Sequence, residues 1–144
     1  MDIYDTFARL VRVQTRLWNE VDARLRAEHG VPLADLTPLE LVSTIPGCRV
    51  QDIVDALHIT VGGASKVVDR LVSGGYVARA VNPDDRRSSL LTLSPAGREL
   101  LDQAMPTVAA LLAERLGEPL GGPGLAELDR LLGSVQPAAA GAAR

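Results

Sequence analysis

The chain has 144 residues, of which 47% are apolar, so it is long enough to form one domain with a hydrophobic core. No apolar run is long enough to cross a membrane, and the N-terminus lacks the basic-then-apolar order of a signal peptide. The single cysteine excludes an internal disulfide, and these features together predict a cytoplasmic protein. The net charge of −3, taken alone, argues against nucleic acid as a partner.

The first predicted element is a long amphipathic helix over residues 3–29, which Gly30 ends. Its apolar residues recur every three or four positions and so share one face: Ile3, Phe7, Leu10, Val11, Leu17, Trp18, Val21 and Leu25. A second helix is expected to begin at Thr37-Pro38, with threonine as its cap and proline at its first position. Pro46-Gly47 is expected to end it.

Two short helices joined by a tight turn are predicted next. Helical periodicity covers residues 50–57, and His58-Ile59 forms the turn. Thr60 can cap the following helix over residues 61–73, which the double glycine after it closes. This is the outline of a helix-turn-helix.

A β-hairpin is predicted after these helices. Residues 76–81 and 89–93 are strands, and Asn82-Pro83-Asp84-Asp85 between them is a run of strong turn formers. With the preceding helices, the hairpin completes a winged helix-turn-helix, which places one helix in the DNA major groove. Residues 65–98 carry six basic and three acidic side chains, so this segment predicts a local basic face in an acidic chain.

The C-terminal part is predicted to be helical. A helix is expected to start at Ser94-Pro95 and to kink at Pro106. A Gly/Pro break over residues 117–124 precedes a last short helix, and residues 136–144 are expected to form a flexible tail.

These elements predict one domain over residues 1–144 that is mainly α with a small β-wing. Its winged lobe covers residues 36–98, and N- and C-terminal helices over 1–30 and 100–135 flank that lobe. The apolar stripes of the flanking helices are more than the small lobe can cover. They are therefore expected to be dimerisation helices of a two-fold homodimer.

Three motifs closely resemble the MarR family of bacterial transcription regulators. They are the reading-helix pattern Ser65-Lys66-Val67-Val68-Asp69-Arg70-Leu71, the wing motif Asp85-Arg86-Arg87 and the exit Leu93-Ser94-Pro95-Ala96-Gly97-Arg98. The resemblance covers nearly the whole chain. It implies an obligate homodimer that binds pseudo-palindromic double-stranded DNA, usually as a repressor. It also implies that a small aromatic or phenolic effector releases the DNA.

In the wing, Arg87 resembles the arginine that enters the minor groove, where narrow A·T-rich stretches attract a guanidinium. The alternative is a solvated arginine in a turn salt bridge, which contributes little. Asp85 is expected to hold the wing by pairing with an arginine, and Arg87 is one candidate. Arg86 is expected to contact either phosphate or solvent.

From the reading helix, four side chains are placed to contact DNA: Thr60, Ser65, Lys66 and Arg70. The alternative for Thr60 is that it only caps the helix, and capping is compatible with a contact to DNA. Lys66 and Arg70 lie one helical turn apart, so both can follow the groove wall. Asp69 is expected to pair locally and to limit their charge.

Gly62 and Gly63 depart from the family's pattern, which often has Ser, Thr or Arg at these positions. Two interpretations remain open. One is close approach of the backbone, with amides at the helix N-terminus meeting phosphate and Val61 meeting thymine methyl groups. The other is that base specificity comes mostly from the wing and from DNA shape.

A ligand site is a further hypothesis. Trp18 belongs either to the core or to a ligand cavity, and Arg12 and Arg16 on the same helix are candidates to meet a carboxylate. The two histidines and the single cysteine lack metal-ligand spacing, so no metal or cofactor is expected.

The chain carries no nucleophile-base pair, phosphate loop or metal motif, so an enzyme is not expected. The favoured function is a sequence-specific DNA-binding regulator that responds to a ligand. The alternative is a winged-helix protein-interaction module or a non-specific DNA binder, which the two glycines and the acidic charge favour. The order of residues leaves open whether binding represses or activates.

Overall fold

The computed structural model describes residues 1–136, and the chain forms two compact units, Met1–Val108 and Ala109–Arg144. Its elements follow one another as α1 (Ile3–His29), α2 (Leu33–Thr44), α3 (Val50–Leu57), α4 (Val61–Ser73), β1 (Val77–Val81), β2 (Ser89–Leu93), α5 (Pro95–Leu112), a π-helical turn (Ala113–Gly117) and α6 (Glu118–Val135). The two strands form an antiparallel hairpin. The predicted fold class, mainly α with a small β-wing, is confirmed. Of the predicted tail, residues 137–144 lie outside the described residues.

Helix α1 is amphipathic along its whole length, but only its C-terminal half is covered by the first unit. Val21 and Leu25 are buried, and the helix ends where Gly30 adopts a left-handed conformation with φ 66°. The N-terminal half keeps a run of large apolar side chains in solvent, and Trp18 just beyond the midpoint continues it: Ile3, Tyr4, Phe7, Leu10, Val11 and Val13. This half therefore has an apolar face without a partner in the unit.

Helix α2 begins four residues before the predicted cap at Thr37, so that prediction is wrong. The cause lies in α1, where Oδ1 of Asp22 accepts a hydrogen bond from the N–H of Leu33 (2.9 Å). This bond satisfies one of the free donors at the helix start. Pro38 is consequently an interior, buried residue of α2. The hydrogen bond from Leu33, followed by that from Arg26, lowers the pKa of Asp22.

The core of the first unit is built from aliphatic side chains, as the composition predicts. α2 packs against α1, α4 and β2, while α3 packs against α4. The buried apolar residues are Val21, Leu25, Val31, Leu36, Leu39, Val42, Cys48, Ile53, Ala64, Val68, Leu71, Val77, Leu91, Leu101 and Ala104. This packing buries one side of α4 and leaves the other side in solvent.

The hairpin is attached to the lobe at its base. Val77 pairs with Leu93 at that end, and the N–H of Leu91 donates to the carbonyl of Cys48 in the loop before α3 (2.7 Å). The first turn of α5 approaches the start of the hairpin so closely that a Cβ on Gly97 would lie 2.2 Å from the carbonyl oxygen of Tyr76. The base of the wing is therefore held from two sides.

In the described part of the second unit, residues 109–136, the chain is helical up to Val135 apart from one interruption. The Gly/Pro break predicted over residues 117–124 is confined to Gly121, whose φ of 65° and ψ of 172° are non-helical. Helix α5 continues past Pro106 to Leu112. α6 exposes several large apolar residues: Leu120, Leu125, Leu131, Leu132 and Val135. Among residues 1–136, no helix combines the length and the apolar character that crossing a membrane requires.

Candidate nucleic-acid interface

Helix α4 is set on the lobe by its turn, its cap and its buried face. His58 closes α3 in a left-handed conformation with φ 52°, which makes the turn tight. Thr60 then caps α4, since its Oγ1 accepts a hydrogen bond from the N–H of Gly63 (3.0 Å). Ala64, Val68 and Leu71 are buried. The cap role predicted for Thr60 is thus present, and its side chain is also exposed.

The outer face of α4 begins with small and apolar groups. Val61 is 56% exposed, and a Cβ added to Gly62 would meet no atom within 4 Å. Ser65 is half-buried, and Lys66 is exposed. Lys66 forms no ion pair with any residue in the described part of the chain. The start of the helix therefore offers an open backbone, one branched aliphatic side chain and one free ammonium group.

Arg70 and Asp69 differ from Lys66 because each is already paired. Nη2 of Arg70 lies 2.7 Å from Oδ1 of Asp35 in α2, and this hydrogen bond raises the pKa of Arg70. Asp69 forms an ion pair with Arg79 of β1. The predicted local pairing of Asp69 is therefore directed at the hairpin, and its partner is neither Lys66 nor Arg70.

The wing loop is ordered by short-range backbone contacts. Oδ1 of Asn82 accepts from the N–H of Asp84 (3.0 Å), and Oδ1 of Asp85 accepts from the N–H of Arg87 (2.9 Å). Asp85 thus holds the wing through a backbone N–H, which corrects the predicted pairing with an arginine side chain. Within residues 1–136, neither Arg86 nor Arg87 forms an ion pair, and both side chains are exposed.

Cys48 and His29, the residue types that could serve redox or metal chemistry, are both engaged in the structure in other ways. Cys48 is fully buried, and burial, followed by the charge of Asp52, raises the pKa of its thiol to about 11. His29 is bonded through Nε2 to Oγ1 of Thr107 (2.7 Å), which links the end of α1 to α5. Across residues 1–136, no cluster of three or more His, Cys, Asp or Glu residues could hold a metal ion.

The residues predicted for ligand binding lie on a single helix. Arg12 and Arg16 lie on an open stripe of α1 with Val11, Thr15, Asn19 and Glu20, and no other described element lines this stripe. Arg16 is paired with Glu20 there (2.8 Å). Trp18 does not belong to this stripe, and it is 40% exposed, so within the first unit it is not a core residue.

Sequence reasoning missed the partners of the charged residues on α4. Asp35 is 35 positions away from Arg70, and Arg79 is ten positions away from Asp69. The pairs form because α2 and β1 pack against α4 in three dimensions. No spacing motif in the chain signals the first pair.

Comparisons with known proteins agree with this geometry. A family model described as the MarR family matches residues 29–88. The HTH-type transcriptional regulator YkoM of Bacillus subtilis is 31% identical over 113 residues, which are 78% of this chain and 71% of that protein. The multiple antibiotic resistance protein MarR of Escherichia coli is 33% identical over 81 residues, 56% of each protein.

Solved structures share the fold. A mutant E. coli MarR complexed with operator DNA matches with a TM-score of 0.80 and 25% identity, covering 95% of this chain and 100% of that one. The transcriptional repressor CouR, bound to a 23-mer DNA duplex, matches with a TM-score of 0.79 and 28% identity, covering 88% and 89%. The chain therefore belongs to the MarR family of transcription regulators, as its motifs predict, and the expectation of a regulator and not an enzyme is confirmed.

Proposed function

We propose that this chain regulates transcription by placing α4 in the major groove of double-stranded DNA and its wing in the adjacent minor groove. The observation that carries the proposal is the position of the unpaired cations. Lys66 on α4 and the arginines Arg86 and Arg87 on the wing are exposed and form no ion pair with the described residues. The Asp69–Arg79 pair places the two elements side by side. Both related structures named above contain DNA.

The functional unit that we propose is a two-fold homodimer. The N-terminal half of α1 exposes a contiguous apolar face, and α6 in the second unit exposes another. Burial of such faces against a second copy is favourable by roughly 25 cal/mol for each Å² of apolar surface. A dimer also presents two reading helices to the two half-sites of a pseudo-palindrome.

Effector control by a small aromatic or phenolic ligand is part of the same proposal. The stripe that carries Arg12 and Arg16 belongs to one helix only, so a second chain would have to complete an enclosed site. A ligand there acts by favouring a dimer shape whose reading heads do not match the operator spacing. Repression then follows where the operator overlaps a promoter.

The test is a mobility-shift titration with DNA from upstream of the protein's gene and with a duplex selected from a random pool. A specific complex should survive excess random DNA and should weaken as salt is added. The salt slope, which is the slope of the logarithm of the binding constant against the logarithm of the salt concentration, should steepen by about 0.9 for each phosphate that the protein neutralises. Benzoate and phenol added to the complex probe the effector hypothesis. Equal affinity for all duplexes would support the non-specific alternative that open Gly62 favours, and no DNA binding would overturn the proposal.

A further inference from the structure

Two neighbouring residues tie the reading helix α4 to the elements on either side of it. Arg70 contacts Asp35 in α2 at 2.7 Å, while Asp69 pairs with Arg79 in β1. Lys66, one turn earlier, has no such partner in the described part of the chain. The cations of α4 therefore fall into two classes, one free and one engaged within the protein.

The Arg70–Asp35 pair is asymmetric in its exposure. The Asp35 side chain is 15% exposed and that of Arg70 is 53% exposed. At this exposure the Asp35 carboxylate keeps little contact with water, so loss of the Arg70 hydrogen bond leaves its charge less well compensated. Arg70 is the sole cation in ion-pair contact with Asp35 among residues 1–136.

The position of Asp35 also matters for orientation. It lies in the first turn of α2, where the helix dipole favours a carboxylate, and the start of α2 is itself bonded to Asp22 of α1. The Arg70–Asp35 pair therefore joins α4 to the N-terminal end of α2, which is the end that Asp22 of α1 also holds. A helix anchored in this way resists rotation about its own axis.

We propose that Arg70 is a positioning residue, which sets the orientation of α4 through Asp35, and that it is not a phosphate ligand. The inference rests on the proposed function, because positioning matters only if α4 reads DNA. It revises the sequence-based assignment of Arg70 to the DNA contacts. Lys66 keeps that assignment.

The sign of one substitution separates the two roles. Asp35→Asn removes a negative charge near the DNA, so simple electrostatics requires tighter binding. Positioning requires weaker binding, by about tenfold if the coupling is near 1.4 kcal/mol. Positioning also requires that the ratio of the affinity for the selected duplex to the affinity for a random duplex falls. A loss of global stability does not change this ratio as long as the sample is fully folded.

The decisive experiment is a charge exchange, measured by fluorescence anisotropy with a labelled duplex selected by the wild-type protein and with a random duplex. Arg70→Asp and Asp35→Arg singly should each weaken specific binding, and the double variant should recover most of it. Lys66→Ala is the matched control on the same helix. It should lower the salt slope by about 1, and Arg70→Ala should leave that slope unchanged.

The possible results are distinct. A wild-type protein that selects no duplex contradicts the proposed function itself. A wild-type protein that binds, with a double variant that stays as weak as Arg70→Asp, overturns the positioning role. A lower salt slope in the Arg70→Ala variant also overturns the positioning role. Circular dichroism confirms folding, and the near-isosteric Asp35→Asn decides the question if a reversed charge unfolds the lobe.

Discussion

Arg86 and Arg87 are adjacent in the wing loop, but their backbones are held differently. Both lie inside the turn that the N–H of Ser88 closes on the carbonyl of Asp85, and the N–H of Arg87 also donates to Oδ1 of Asp85, so the backbone at Arg87 carries a second restraint. A more restrained backbone lowers the entropy lost when the loop is ordered against a narrow groove. Arg87 is therefore the better candidate for the minor groove.

We predict that Arg87→Ala weakens operator binding by about 1–3 kcal/mol and leaves the melting temperature unchanged, because the side chain is exposed and unpaired. Competition titration and thermal unfolding measure the two quantities. Arg86→Ala is the control and should cost less. Unchanged affinity in the Arg87 variant would contradict the wing assignment.

The thiol of Cys48 should be inert in the folded protein. Its pKa of about 11 lies above the ordinary 9.0, so the folded state keeps a proton that the unfolded chain releases above pH 9. This contribution to stability is complete below pH 9 and is lost as the pH rises toward about 11. Iodoacetamide should label native protein slowly at about pH 8 and unfolded protein rapidly.

A comparison with Cys48→Ala isolates this effect. Denaturant titrations at about pH 8 and pH 10 should show a larger fall in stability for the wild type than for the variant. An equal fall in both proteins would show that other groups cause the pH dependence.

At the scale of elements, local patterns predict the helix-turn-helix and the returning strand with high accuracy. α3, α4 and β2 have the predicted bounds because their caps and turns are encoded by neighbouring residues, such as Thr60 for α4. α2 starts elsewhere because its first donor is satisfied by Asp22 from another helix. The Arg70–Asp35 pair escapes sequence analysis for the same reason, since its partners meet only after packing.

The contact between α5 and the hairpin makes Gly97 sensitive to any side chain. Gly97→Ala places a methyl group 2.2 Å from the carbonyl of Tyr76, so the helix start or the strand must shift. We predict a loss of about 1–3 kcal/mol in the free energy of unfolding, measured by urea titration. Gly133→Ala, in a helix with open space around the position, is the control and should be neutral or stabilising.

Gly62→Ala should have opposite effects on stability and on DNA binding. The position is helical and open, so alanine should stabilise α4 by up to about 1 kcal/mol. If the backbone approaches the DNA closely, the added methyl group should weaken operator binding. Thermal unfolding and anisotropy titration test the two parts, and tighter or equal DNA binding would exclude close backbone approach.

For the whole molecule, the exposed apolar half of α1 is the feature that a monomer leaves unexplained. Phe7 is 60% exposed there, and the single tryptophan, Trp18, lies on the same helix. We predict that Phe7→Glu converts a dimer into a monomer, because a carboxylate would be buried without a partner. Sedimentation velocity measures the mass, and tryptophan emission reports the change in surroundings.

Arg9→Glu is the control for this variant, because position 9 lies about 200° around the helix from position 7. It should leave the dimer intact. A wild-type protein that sediments as a monomer, or a dimer unaffected by Phe7→Glu, would contradict dimerisation through this face.

The bond between the N–H of Leu91 and the carbonyl of Cys48 has an evolutionary consequence. Both partners are backbone groups, which every residue except proline supplies on the donor side. The sequence can therefore drift at both positions while the anchor of the wing persists, provided that the replacements fill the same buried volume. Proline at position 91 is the replacement that selection should remove, because it has no N–H to donate. The hydrogen bond between the wing and the lobe can therefore persist in relatives whose residues at these two positions are no longer similar.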